Sequence, residues 1–117
     1  FVRTGLPTYD IAGLLVRPGD ILGRTKPGSI IEHRALIGFD GMIGHSSGPG
    51  DVFRSGTLEE ILKDGGVIRV VYPTRSLWET EWRLDRANRI MGASWWNMNC
   101  HTTTDFIAGV LPDVRLM

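Results

Sequence analysis

A thiol becomes an acyl-transfer nucleophile when a base lies within hydrogen-bond reach and a third polar group orients that base. The chain holds one cysteine, Cys100, and three histidines, His33, His45 and His101. Asn99, just before the cysteine, is a good N-cap, with a side-chain oxygen for an orphan backbone N–H. Cys100, Thr103, Thr104, Ile107, Ala108 and Leu111 then fall on one helical face. Cys100 is therefore expected in the first turn of a helix, where the dipole favours an anion and lowers a thiol pKa. First-turn N–H groups are expected to serve an oxyanion. The plain alternative is a small buried hydrophobe, common for a lone cysteine. Cys100, His33 and His45 can fill the roles of nucleophile, base and orienting group in that order. His101 is turned about 100° around the helix from the thiol and is expected at the surface or in substrate contact. The same three residues have zinc-binding side chains but no short metal-ligand spacing, so no metal is expected.

The elements that must bring these residues together follow from turn chemistry and periodicity. Arg17-Pro18-Gly19-Asp20 and Lys26-Pro27-Gly28-Ser29 are turns, and they bracket a short strand over Asp20–Thr25. Glu32–Phe39 is the next strand, its alternation placing His33, Ala35, Ile37 and Phe39 on one face. Asp40-Gly41 reads as a hairpin turn into a returning strand over Met42–Ser47. That two-residue turn pairs position 33 near 48 and 45 near 36, an offset of about three residues or roughly 10 Å between the histidines. Gly48-Pro49-Gly50 breaks the strand, and it has neither the spacing nor the lysine of a phosphate loop. Asp51–Arg54 offers one more strand. Thr57-Leu58-Glu59-Glu60 is a capping box for a short helix to about Lys63, and Ser76-Leu77-Trp78-Glu79 opens a longer one to about Met91. Leu77, Leu84, Ala87 and Met91 make the second helix's apolar stripe, joined at the edges by Trp78 and Ile90, with Arg83, Arg86 and Arg89 around it. Between them Val67–Tyr72 is the clearest β-branched strand. A meander of about five short strands followed by two to three helices predicts an α+β fold, an antiparallel sheet packed against helices.

At 117 residues the chain reads as a single domain, 1–117, with a core over about 17–110 and an N-terminal arm or loop over 1–16. Lys plus Arg and Asp plus Glu number 13 each, a balance that suggests neither nucleic-acid nor polybasic membrane binding. The longest apolar run, near Ile11 to Val16, is far too short for a transmembrane helix. A lone cysteine excludes an internal disulfide and fits a reducing compartment such as the cytoplasm. Phe1 in place of an initiator methionine implies upstream residues removed or omitted, which leaves localisation open. Trp78, Trp82, Trp95 and Trp96 are expected as core or groove aromatics. Trp95 and Trp96, with Phe53, point towards an apolar acyl group.

Taken in order, Pro18-Gly19-Asp20, Glu32-His33-Arg34-Ala35-Leu36-Ile37-Gly38, Ile43-Gly44-His45 and Asn99-Cys100 resemble the lecithin:retinol acyltransferase-like family. That family is the circularly permuted branch of the NlpC/P60 papain-like superfamily. The likeness runs from about Arg17 to Val110 and includes Leu58-Glu59-Glu60 and the Val67–Val71 strand, as in bacterial members. It implies a permuted papain-like fold with the histidines before the cysteine. It also implies Cys100 as nucleophile, His33 as base and His45 as orienting residue, with no cofactor. The expected activity is a cysteine acyl hydrolase or acyltransferase forming a thioester on a small-molecule, lipid-like ester. Peptidase or amidase action on peptide or cell-wall amides is the alternative, and a non-catalytic binding module is another. The family commonly continues Asn-Cys-Glu-His-Phe, whereas here Cys100 is followed by His101, three threonines and Asp105.

Overall fold

Short apolar runs between glycine- and proline-bearing turns set the architecture, which is α+β. A computed structural model describes residues 7–40, 43–46, 48–63, 65–95 and 99–110. The elements in chain order are β1 (Tyr9–Ile11), β2 (Leu14–Val16), β3 (Ile21–Thr25), β4 (Glu32–Ile37), β5 (Ile43–His45) and β6 (Arg54–Gly56). They continue with α1 (Leu58–Leu62), β7 (Val67–Tyr72), α2 (Leu77–Arg89) and α3 (Cys100–Ala108). Five strands form one antiparallel sheet in the order β6-β5-β4-β3-β7. Alternation along the central strands splits the core in two. Ile21 and Leu36 join Phe53, Ala87, Ile90, Phe106 and Ile107 beneath α2 and α3. Leu22, Ala35, Ile37 and Ile43 join Ile11, Val16 and Ile61 on the opposite face.

That second face is covered by residues expected as an arm. β1 and β2 form a separate two-stranded hairpin, Tyr9 opposite Val16 and Ile11 opposite Leu14. Ala12 and Gly13 turn it with φ of 51° and 87°, the sign pair of a type I′ turn. The Asp10 carboxylate accepts from the Gly13 N–H at 2.8 Å. Other differences are local. Asp51–Arg54 is no strand of its own: Val52 makes an isolated bridge with Ser94, and the edge strand begins at Arg54. The buried face of α2 is Thr80, Arg83 and Ala87, continuing to Ile90; Ala87 and the core-packed Leu84 belong to the expected stripe and Ile90 to its edge, while Thr80 and Arg83 are the additions. Met91 and Trp78 are exposed. Arg83 is buried because its guanidinium donates to the carbonyls of Gly19 and Tyr72, at 3.0 and 2.6 Å.

The Gly19-Asp20 pair explains why the long helix sits where it does. Asp20 is buried and accepts from the Thr74 N–H and hydroxyl, both at 2.8 Å, and from the Arg17 N–H at 2.9 Å. Gly19 has φ +91°, and a Cβ there would meet the Thr74 methyl at 2.7 Å. Glycine is needed for that backbone conformation and that close approach. The motif is a clamp joining β3, the end of β7 and α2. No helix among the described residues is long and apolar enough to cross a membrane.

Candidate functional site

The β4–β5 register decides whether the two histidines can meet. Leu36 pairs with Gly44 and Ile37 with Ile43, one residue away from the register expected of a two-residue turn at Asp40-Gly41. Gly41 and Met42 themselves lie outside the described residues. Continued one step, this register sets His45 opposite Ala35, two residues from His33 and on the same side of the sheet. A one-residue slip moves every side chain to the other face, so the expected register would have kept the histidines apart. Diagonal neighbours on one face are within reach of long side chains. His33 Nε2 and His45 Nδ1 are 3.1 Å apart, with the rings edge to face.

The chain of polar contacts extends beyond the histidines to a residue expected only as a helix cap. His45 Nε2 lies 3.8 Å from Glu60 Oε1. Glu60 does cap α1, its other oxygen accepting the Thr57 N–H at 2.6 Å, while Arg54 donates to Oε1 at 3.3 Å. The carboxylate favours a proton on His45 Nε2, which leaves Nδ1 to accept from His33 Nε2–H. In that tautomer His33 Nδ1 carries no proton. Gly56 makes room for this chain, since a Cβ there would stand 2.8 Å from His45 Nε2 and collide with the Glu60 carboxylate. The capping box was legible at Glu60; its approach to His45 depends on β6 pairing alongside β5 and leading into α1, which no local pattern announces.

Cys100 opens α3 as expected. The Asn99 side chain accepts from the N–H groups of His101 and Thr102, both at 3.0 Å. Thr103 and Thr104 are fully buried and return their hydroxyls to the carbonyls of Asn99 and Cys100. They thus bury polar side chains without orphaning them. Gly109, at φ 83°, ends the helix after Ala108; Leu111, expected on the same face, lies outside the described residues. His101 is half-buried and its ring Nε2 contacts the Glu32 carbonyl, tying the helix start to the open edge of β4. Its ring is thus partly withdrawn from the surface by that tie. Deeper along the helix, Asp105 accepts from Arg34 at 2.8 Å and from the Tyr72 hydroxyl at 2.9 Å. This anchor has no short-range sequence signal, because its partners lie 71 and 33 residues away.

The thiol and the histidines approach from different sides. Cys100 belongs to the helix that packs on the Leu36 face, while His33 shares the Ala35 face. Both border the region where β5 gives out and the first half of β4 is uncovered. There a cleft of about 480 Å³ is lined by Arg24, His33, His45, Glu60, Trp95 and Cys100, among others. A second cavity of about 530 Å³, against Phe53 and α2, is lined by neither thiol nor imidazole. Phe53 belongs to the core and that second cavity, so it is no part of an acyl pocket beside Cys100; Trp95 does line the cleft, and Trp96 lies outside the described residues.

Burial overturns one expectation about the thiol. Cys100 is only 9% exposed, and desolvation pushes its pKa above the ordinary thiol value. The N–H and charge of Arg34 and the N–H groups of Cys100 and His101 oppose that rise without cancelling it. The cap also takes the His101 and Thr102 donors, and Thr103 N–H goes to the Asn99 carbonyl at 2.9 Å. The first-turn donors of His101, Thr102 and Thr103 are therefore already taken up within the cap. His33 is pushed down to about 4, chiefly by burial and then by the neighbouring His45, Arg24, His101 and Lys26 charges. His45 is lowered by burial, with Glu60 pulling the other way. At neutral pH the pair is therefore thiol and neutral imidazole, not a standing thiolate–imidazolium. Among the described residues no group of three or more histidine, cysteine, aspartate or glutamate side chains could hold a metal ion. No family model matches the chain, and no curated protein or solved structure matches it either.

Proposed function

We propose that the protein is a cysteine acyl hydrolase or acyltransferase acting on lipid-like esters, as its resemblance to the lecithin:retinol acyltransferase-like family implies. The observation that carries this reading is the 3.1 Å contact between His33 and His45 in the cleft that Cys100 also lines. With Nε2 committed to His45, His33 Nδ1 accepts the thiol proton as the sulfur attacks the ester carbonyl carbon. The imidazolium then protonates the departing alkoxide as the C–O bond breaks, leaving a thioester on Cys100. Water or a second nucleophile, deprotonated by the same imidazole, cleaves the thioester and restores the thiol. Because thiol and imidazole start neutral, His33 acts as a general base during attack.

The test is intact-mass detection of an acyl adduct on Cys100 after incubation with phospholipid, compared with peptide substrates. A phospholipid-derived adduct absent from Cys100→Ser and His33→Ala variants is expected. An adduct from peptides alone would move the reading to an amidase. A second reading, a binding module without turnover, draws on the burial and raised pKa of the thiol. It predicts slow alkylation of Cys100 at about pH 7 that is indifferent to His33→Ala, whereas an active site predicts alkylation strongly slowed by that change.

A further inference from the structure

The uncovered half of β4 presents its backbone to the thiol. Ile37 turns its N–H and C=O towards the β3 side, where they meet the Asp20 carbonyl and the Gly19 N–H at 2.9 and 2.7 Å. Backbone direction alternates along a strand, so Leu36, Arg34 and Glu32 turn theirs to the β5 side. Among the described residues, pairing with β5 ends at Leu36 and Gly44. The backbone groups of Arg34 and Glu32 therefore lie on an open edge, and α3 meets them there. The Glu32 carbonyl takes the His101 ring, and the Arg34 N–H takes the Cys100 sulfur. Two neighbouring residues of the helix thus fill an edge that a strand would otherwise extend.

The Arg34 side chain is committed to the same helix. Its guanidinium, 13% exposed, donates to Asp105 at 2.8 Å and to Glu32 at 3.4 Å, and lies 5.6 Å from the centre of the Tyr72 ring. Tyr72 donates its hydroxyl to the same Asp105 oxygen at 2.9 Å. A charge so largely buried needs such partners, and these ones also fix where it lies. Asp105 stands about one and a half turns beyond Cys100 on α3. Arg34 therefore meets the nucleophile's helix twice, by its N–H at the sulfur and by a cation held along the same helix.

We propose that Arg34 is a positioning residue for Cys100, fixing the sulfur at the β4 edge through its N–H and favouring the thiolate through a guanidinium that Asp105 and Tyr72 hold in place. This rests on reading Cys100 as the nucleophile, but the test follows the thiol and needs no turnover. The other charged and titratable groups about the thiol are Glu32 and His33 on β4, Arg24 on β3, His45 on β5, Glu60 on α1 and His101 on α3. Lys26, Arg54 and Lys63 also line the cleft. All of them are kept in the comparison.

The full chain is alkylated with iodoacetamide from about pH 6 to about pH 10, and the Cys100 adduct is read by intact mass. The parent is compared with Arg34→Gln and Asp105→Asn. Both changes break the same ion pair and should lower the melting temperature alike. They should part on the thiol. Arg34→Gln removes the cation and strands the Asp105 carboxylate, so the midpoint of the alkylation profile rises; Asp105→Asn leaves the cation less neutralised, so it falls. At about pH 7 the first should react at least about threefold more slowly than the parent and the second faster. Arg34→Lys keeps the charge without the planar fork and should recover most of the parent midpoint. Midpoints that move the same way in Arg34→Gln and Asp105→Asn, as a purely structural tie predicts, overturn the proposal. So does an unmoved midpoint in Arg34→Gln. A missing acyl adduct on the parent would remove the proposed activity and leave these midpoints standing, so the two failures read differently.

Discussion

Glu60 serves two ends of one carboxylate, and the two can be separated. One oxygen closes the first turn of α1, and the other faces His45 Nε2 at 3.8 Å. Glu60→Gln keeps an acceptor for the Thr57 N–H but removes the charge that holds the proton on His45 Nε2. If the imidazole pair works as proposed, kcat on a soluble ester should fall about tenfold with KM and melting temperature little changed, since an exposed Arg54 ion pair adds little stability. An unchanged kcat would show that the histidines choose their tautomers without Glu60. Of the residues that line the cleft, Cys100, His33 and His45 were singled out by type and order. Glu60 was legible only as a cap, and the raised thiol pKa was hidden because burial is a property of the folded helix, not of its first turn.

Among the elements, β6 is the least conspicuous and the most exacting. It is three residues long, and its last, Gly56, leaves the space in which His45 and Glu60 approach. Gly56→Ala places a methyl against both groups, and the Glu60 carboxylate, at the end of a flexible side chain, is the one to yield. The expected outcome is a loss of about 1 kcal/mol in urea unfolding together with a kcat as low as that of Glu60→Gln. A fall in stability with full activity would count against the contact. Capping boxes, β-branched runs and turn residues placed α1, β7 and the start of α2 correctly. The β1–β2 hairpin was missed because Ala12 is not a residue that announces a positive φ, although Tyr9, Ile11, Leu14 and Val16 alternate. The burial of Arg83 on α2 was missed because the carbonyls it serves arrive from β7 and the Gly19 turn.

For the molecule as a whole, a histidine pair with one ring buried and the other half-buried makes stability depend on pH. Unfolded, His33 titrates near its ordinary 6.5; folded, it holds off its proton until about 4. Between those values the unfolded chain binds a proton that the folded chain refuses, so stability declines as pH falls, by up to roughly 3 kcal/mol. His45, also lowered by burial, acts in the same direction. Glu32 and Glu60, held below their ordinary 4.5 by Arg69 and by the Thr57 N–H respectively, lose their contributions at still lower pH. Urea unfolding at about pH 7 and about pH 4.5 should show the drop, and His33→Gln should flatten it. The β4–β5 register carries a constraint of another kind. Surface connections ordinarily tolerate gains and losses of residues, yet the span from Ile37 to Ile43 fixes which side of the sheet His45 occupies relative to His33. A descendant of this chain can change any side chain in that span more freely than it can change its length by one. A single-codon deletion there would leave a folded sheet and divide the site between its two faces.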